Sequence, residues 1–330
     1  MKLLLIVLLA FVPVALQAQG KFEKMPAKIT FHVVTDEGKP VESAEVSVST
    51  FDHWEPGDNF GRNIKATTKG HTDKDGNVAL EFGCANGEIA YAAKGGPGFY
   101  ETIGLQYQFA ERKEGRWEPW NPSIDLVLKP KLNPVPMYAR KLGVLGANFT
   151  LPAIDKEVGF DLVAGDWLPP HGTGKVADFV FKLERRYSNY EEPFEATLTL
   201  TFGNKGDGIQ SVLAPPFVGS ALKLPRYAPE HGYVAELVKR HARPARGAPV
   251  EASVREDQNY FFRVRTVLDK KGQVTSALYG KIDGDVQFWP EGGLQLTYYV
   301  NPASMDRNME FDLKRNLFGQ LPELQRPLVP

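Results

Sequence analysis

A chain of 330 residues with one cysteine, Cys84, has no partner for an intramolecular disulfide, so covalent cross-links play no part in holding it together. Charge of one sign is missing too. The formal net charge is -1, and phosphate backbones are bound by a clustered basic excess, which makes nucleic acid an unexpected partner. There is no P-loop, no dinucleotide-binding glycine fingerprint and no Gly-x-Ser-x-Gly elbow. No internal repeat with a period of about 20 to 50 residues is present. No cofactor is implied by any of these patterns.

The one long apolar run is at the start. Met1-Lys2 carries a positive charge, Leu3 to Phe11 is apolar, Pro13 interrupts it, and Ala15-Leu16-Gln17-Ala18-Gln19 offers a small-residue exit. This reads as a secretory signal peptide over residues 1–18. The run is shorter than the roughly 20 apolar residues a membrane span needs. With Cys84 far from the exit, lipoprotein attachment is excluded, and the expected location is secreted or periplasmic, with no transmembrane segment after the leader is removed.

Glycine and proline, by contrast, are plentiful, at 31 and 25, and fall between short alternating runs, as an all-β chain requires. Ile29, Phe31 and Val33 alternate with more polar neighbours, as do Ala44, Val46 and Val48, then Val78, Leu80 and Phe82, and finally Ile124, Leu126 and Leu128. Lys129 to Pro136 is rich in proline and lysine and reads as a stiff, solvated connector. Beyond it Phe179, Phe181 and Leu183 alternate, as do Ala196, Leu198, Leu200 and Phe202. Phe262 to Leu268, Val274 to Ile282, Val286 with Phe288, and Leu294 to Val300 then suggest a meander, with Asp283-Gly284 as a two-residue hairpin turn. Pro229 to His241, with Tyr233, Val234, Leu237 and Val238 on one side, predicts the one helix.

The expected fold is therefore all-β, with two antiparallel β-sandwich domains, a small prealbumin-like or immunoglobulin-like one followed by a larger one. Expected boundaries are 26–131 for the first, 132–136 for the proline-rich linker, 137–318 for the second and 319–330 for a proline-rich tail.

Asp36-Glu-Gly-Lys-Pro-Val, answered by Asp73-Lys-Asp-Gly-Asn-Val, is similar to the turn pairing of carboxypeptidase regulatory-like domains, the prealbumin-like sandwiches of many secreted bacterial proteins. The resemblance covers about residues 26–131 and departs from the family's short pattern by insertions at Phe51 to Gly70 and Gly95 to Pro122. It implies a structural or adhesive module and no catalysis. The remainder resembles segments of uncharacterised secreted bacterial proteins.

Candidate sites divide by chemistry. Asp73, Asp75 and Asn77 place oxygen ligands at alternating positions, but the glycine and glutamate of a calcium loop are out of place, so a β-turn is the better reading. None of the histidines stands at zinc-site spacing; His53 and His71 flank one insertion and are the pair that folding could bring together. No metal is assigned. Cys84 has no charged neighbour to activate its thiol. No catalytic set is assignable, although Asp161, Asp166 and Asp178, around the loop bearing Trp167 and His171, are the carboxylates from which a glycosidase pair could be drawn. Aromatic residues in the charged second insertion, Tyr107, Trp117 and Trp120 with Tyr100 and Phe109, offer flat faces with polar tips. Lys239-Arg-His-Ala-Arg-Pro-Ala-Arg246 is the only basic cluster. Tyr107, Trp117, Trp120, Trp167 and His171 are accordingly the candidate ligand-binding residues, for a glycan or an envelope protein. The leading functional expectation is a non-catalytic binding or structural module, and the alternative a carbohydrate-active hydrolase or lyase.

Overall fold

The structure, a computed structural model, describes residues 23–55, 62–144, 149–215 and 219–330. The leader read at 1–18 lies outside the described residues, and among the described residues no helix is long and apolar enough to cross a membrane. Among the described residues strand is nearly the only regular secondary structure, with a single short 3-10 turn at Glu323–Gln325, as the alternating pattern demands.

The N-terminal strands are β1 (Met25–Val34), β2 (Glu45–Glu55), β3 (Arg62–His71), β4 (Asn77–Cys84), β5 (Glu88–Lys94), β6 (Thr102–Ile103), β7 (Leu105–Gln108), β8 (Glu111–Lys113), β9 (Arg116–Glu118) and β10 (Ser123–Val127). They form a three-stranded sheet in the order β10-β1-β4 and a four-stranded sheet β3-β2-β5-β7. Ile29, Phe31 and Val33 of the first sheet bury against Val46, Val48, Ile89 and Ala93 of the second, closing a core that also takes Leu126 and Leu128. The turn glycines have work to do. Gly76 has φ +78°, and a Cβ there would meet the Val33 carbonyl oxygen at 2.5 Å. Asp73 accepts from the backbone N–H groups of Asp75 and Asn77, both at 2.9 Å, so it serves the turn.

The C-terminal strands are β11 (Val135–Leu142), β12 (Val158–Asp161), β13 (Asp166–Trp167), β14 (Phe179–Arg186), β15 (Phe194–Thr201), β16 (Gly208–Leu213), β17 (Gly219–Ser220), β18 (Leu237–Arg243), β19 (Glu251–Ala252), β20 (Gln258–Leu268), β21 (Val274–Ile282), β22 (Gln287–Phe288), β23 (Leu294–Asn301) and β24 (Phe311–Asn316). One sheet runs β13-β12-β14-β15-β18-β19 and the other β16-β20-β21-β23-β11-β24, with β22 on β23. Phe179, Phe181, Leu183, Leu198 and Leu200 of the first face Tyr260, Phe262, Val264, Leu296 and Tyr298 of the second. The second sheet is buried on its other side as well, where Met137, Phe261, Tyr279, Tyr299 and Phe311 pack with Leu224, Ala228 and Met309.

Several local expectations are corrected. The helix predicted over Pro229 to His241 is absent: Leu237–Arg243 is β18, paired with β15 from Phe194↔Arg243 to Leu200↔Leu237. The apolar spacing at Tyr233, Val234, Leu237 and Val238 imitates a helix face, but Gly232 sits at φ +90° and β15 offers an open edge that a strand satisfies. The first insertion, read only as extra length, is largely strand, since β2 and β3 pair along its described residues. Asp283-Gly284 does not join hairpin partners, because β22 pairs with β23 rather than with β21. Not all pairings are antiparallel, as β1–β10 and β11–β24 are parallel. Lys129 to Pro136 is tied down rather than merely solvated: Lys129 Nζ donates to the carbonyls of Lys223 and Leu224 at 3.4 and 3.3 Å. The tail packs back too, with Tyr299 Oη donating to the Val329 carbonyl at 3.0 Å.

Candidate functional site

The candidate ligand-binding residues do not converge. Trp117 is a core residue, 6% exposed, and donates its indole N–H to the Cys84 carbonyl at 2.8 Å. That removes its faces from solvent, with Arg112 over one of them at 4.6 Å. Its position follows from the local sequence: Glu111–Lys113 and Arg116–Glu118 form a hairpin closed by Glu114 and Gly115, both at positive φ, which turns Trp117 inward. Trp120 is half-buried beneath the Arg116 guanidinium, 5.1 Å from its ring centroid. Trp167 belongs to the other core, 8% exposed and stacked on Phe149 at 4.9 Å. His171 is exposed on the following loop. Tyr107 lines a substantial concavity.

The carboxylates around Trp167 are committed to structure. Asp161 and Asp178 are both buried and both bind Arg265, with contacts of 2.8 Å from Arg265 NH2 to Asp161 Oδ1 and to Asp178 Oδ2. Burial pushes the Asp178 carboxyl upward against the pull of Arg265. Burial also raises Asp161, but backbone N–H groups of Ala164, Lys175 and Val176 together with Arg265 outweigh it, and the net shift is downward. Asp166 is held low, first by the backbone N–H of Thr173. Asp161 and Asp178 are thus spent on Arg265 and on the backbone of residues 162–164, 175 and 176, and Asp166 on the backbone and hydroxyl of Thr173. His53 and His71 lie at opposite ends of the β2–β3 ladder, opposite Ile64 and Glu45, about 25 Å apart at the usual strand rise. Among the described residues no cluster of histidine, cysteine, aspartate and glutamate is arranged to hold a metal. Cys84 is buried, and that burial raises its thiol pKa.

The concavity that Tyr107 lines lies on the four-stranded sheet and measures about 500 Å³, within the usual range for ligand sites. Its residues come from strand alternation. With Val46, Val48 and Thr50 pointing into the core, Ser49 points out; with Ile89 in, Glu88 and Ala90 point out; and Gln106 and Gln108 flank Tyr107 in the same way. The ladder sets Ser49 opposite Ala90 and Ala90 opposite Gln106, a row spanning about 10 Å across three strands in which Ser49 and Ala90 form a floor of small side chains. Beside it runs a second row, with Lys65 opposite Phe51 and Glu88 opposite Gln108. The amides are held in place: Gln108 Nε2 donates to the Phe109 carbonyl at 3.2 Å and Asn86 Nδ2 to Glu88 Oε2 at 3.2 Å. Tyr107 is steadied edge-on against Phe109, centroids 5.1 Å apart. The arrangement presents hydroxyl, amide, ammonium and carboxylate groups around an open, shallow floor with the Phe51 ring on the same face, while Tyr107 borders it from a strand position whose ring packs toward the core. Sequence reading found Tyr107 but missed Ser49, Gln106 and Gln108, polar residues at the outward positions of adjacent strands, and Asn86 in the turn between β4 and β5; their grouping is visible only once the strand partners are known.

Comparison with known proteins gives little. No family model matches the chain, and no curated protein matches it. Among solved structures the chain is similar to a DUF3823 family protein from Parabacteroides merdae, at 7% identity, covering 84% of this chain and 96% of that one, with a TM-score of 0.18. At that TM-score the likeness carries no argument. What stands on the structure itself is an all-β protein of packed sheets.

Proposed function

We propose that this is a secreted or periplasmic, non-catalytic binding protein of two domains, the first a prealbumin-like module of the carboxypeptidase regulatory-like type, and that the concavity on its four-stranded sheet binds a glycan. The observation carrying this reading is the floor of Ser49 and Ala90 walled by Asn86, Gln106, Gln108 and Lys65 with the Phe51 ring on the same face. Sugars present hydroxyls that both donate and accept, which suits amide side chains, and flat C–H faces, which suit aromatic rings. A shallow, open site of this size leaves room for a chain to run past, which a closed pocket does not.

The test is calorimetric titration of neutral oligosaccharides against the wild type and a Gln106→Ala, Gln108→Ala double variant. Binding that weakens about tenfold or more in the variant, with an unchanged melting temperature, supports the reading. Wild-type protein that binds no member of a broad glycan panel, or a variant that binds as well as wild type, refutes it.

A further inference from the structure

The basic cluster noted in the sequence folds into a different place from the groove just described, and it has a shape of its own. On the outer face of the six-stranded sheet, β14, β15, β18 and β19 bring Arg186, Glu195, Ala242 and Glu251 into one row. Arg240 stands one position along on the same face, and Arg243, Pro244 and Pro193 complete the rim of a concavity of about 350 Å³. Its floor at Ala242 is a methyl group, so nothing from the protein fills the space.

We propose that this concavity binds the carboxylates of an acidic polysaccharide. Two guanidiniums, those of Arg186 and Arg240, stand with Glu195 and Glu251 on this face, and they are held rather than free, while Arg243, opposite Phe194 in the ladder, borders the concavity from the strand end. Glu195 receives both neighbours, Arg186 NH2 at 2.9 Å on one oxygen and Arg240 NH2 at 2.5 Å on the other. Arg243 is anchored by NH1 to the Ala248 carbonyl at 2.6 Å. Each guanidinium carries five N–H donors in a fixed fork, so one protein contact apiece orients the plane and leaves donors for a ligand. The forks match carboxylate geometry, and the apolar surfaces of Pro193, Ala242 and Pro244 lie among them where the C–H face of a uronic acid ring would sit. The volume exceeds what a lone inorganic anion occupies, and the site is open at the surface, which favours a chain of acidic sugars. This goes beyond the glycan reading of the first groove and does not depend on it.

The experiment uses the full chain and four probes: an oligogalacturonate, a neutral oligosaccharide of equal length, inorganic sulfate and inorganic phosphate. Expected results are binding of the oligogalacturonate that weakens with added salt, and at least a tenfold loss in an Arg186→Gln, Arg240→Gln variant. Both residues are exposed, so the variant should keep its circular dichroism and melting temperature. Glu195→Gln removes the competing carboxylate and should tighten oligogalacturonate binding. The Gln106→Ala, Gln108→Ala variant should bind it as wild type does, which separates this site from the groove. The proposal is overturned if the neutral oligosaccharide binds equally well, if the double arginine variant stays within about twofold of wild type, or if the groove variant loses oligogalacturonate. Sulfate or phosphate binding as tightly as the oligomer would likewise overturn it, by showing an isolated anion site.

Discussion

The indole of Trp117 and that of Trp120 stand three residues apart in similar sequence surroundings, yet they do different jobs. Trp117 joins Phe109 in the first core and gives its N–H to a backbone carbonyl. Truncating it removes a large buried ring and orphans that acceptor, so Trp117→Ala should cost about 3 to 5 kcal/mol. Trp120 loses only a half-exposed stack on Arg116, worth about 0.5 to 1 kcal/mol. Equilibrium urea unfolding of the two variants should show this contrast, and equal losses would mean that Trp120 is as much a core residue as Trp117. From sequence the two were indistinguishable, because both lie in the same charged insertion; the turn at Glu114-Gly115 decides which one faces inward.

At the scale of one strand, β20 carries a bulge that sequence pattern alone did not reveal. Its pairing with β21 slips between Val264 and Val267, and Arg265 adopts φ +55°. Asp207 holds the bulge by accepting the backbone N–H groups of Thr266 at 2.8 Å and Arg265 at 3.2 Å. The kink aims Arg265 at Asp161 and Asp178, which is why residues that read as loop carboxylates are buried ion-pair partners. Arg265→Met would leave both carboxylates buried without a cation, at an expected cost of about 3 to 5 kcal/mol near neutrality. The sign of the pH dependence follows. Without Arg265 the Asp178 carboxyl, already pushed up by burial, rises further; a carboxyl with a raised folded pKa favours the fold when protonated, and that stability is lost as pH rises through the folded value. The variant's deficit should therefore shrink as pH falls toward the ordinary carboxylate range of about 4. A deficit independent of pH in denaturant titrations would mean that packing, not charge, is what Arg265 supplies. The same strand shows what was legible: Phe262, Val264 and the alternation of its neighbours announced a half-buried strand, as did most of the sheet residues in the chain. Periodicity failed where edge partners decide, as at Leu237–Arg243, since a short apolar spacing fits both periods until β15 demands a neighbour.

At the scale of the whole molecule, the two sets of sheets are joined by more than a covalent connector. Strand β6 pairs with β17 through Thr102↔Ser220 and Ile103↔Gly219. The fully buried Glu310 gathers the rest: Tyr100 Oη and the Leu132 N–H reach one oxygen at 3.0 and 2.9 Å, and the Asn133 N–H reaches the other at 3.1 Å. Arg226 NH1 lies 2.5 Å from that second oxygen, an ion-pair contact whose N–H is not aimed as a hydrogen bond. One side chain thus holds the first sheets, the connector and the Arg226 segment. None of this was readable from sequence, because Glu310 and Tyr100 are 210 residues apart and only the folded chain brings them together. Burial pushes the Glu310 carboxyl up, but Arg226, the two backbone N–H groups and Tyr100 outweigh it, so its pKa falls below the ordinary 4.5. A carboxylate with a depressed folded pKa contributes stability that is whole above 4.5 and is lost as pH falls through the folded value. Glu310→Gln should remove that acid limb, leave Arg226 buried without its counter-charge at a cost of about 3 to 5 kcal/mol, and speed hydrogen exchange at the Leu132 and Asn133 amides. Protection at those amides equal to wild type would show that the β6–β17 ladder alone keeps the two sets of sheets docked. Loss of protection there, with the core strands of both sets still protected, would show that Glu310 governs the junction and that each set of sheets stands on its own core.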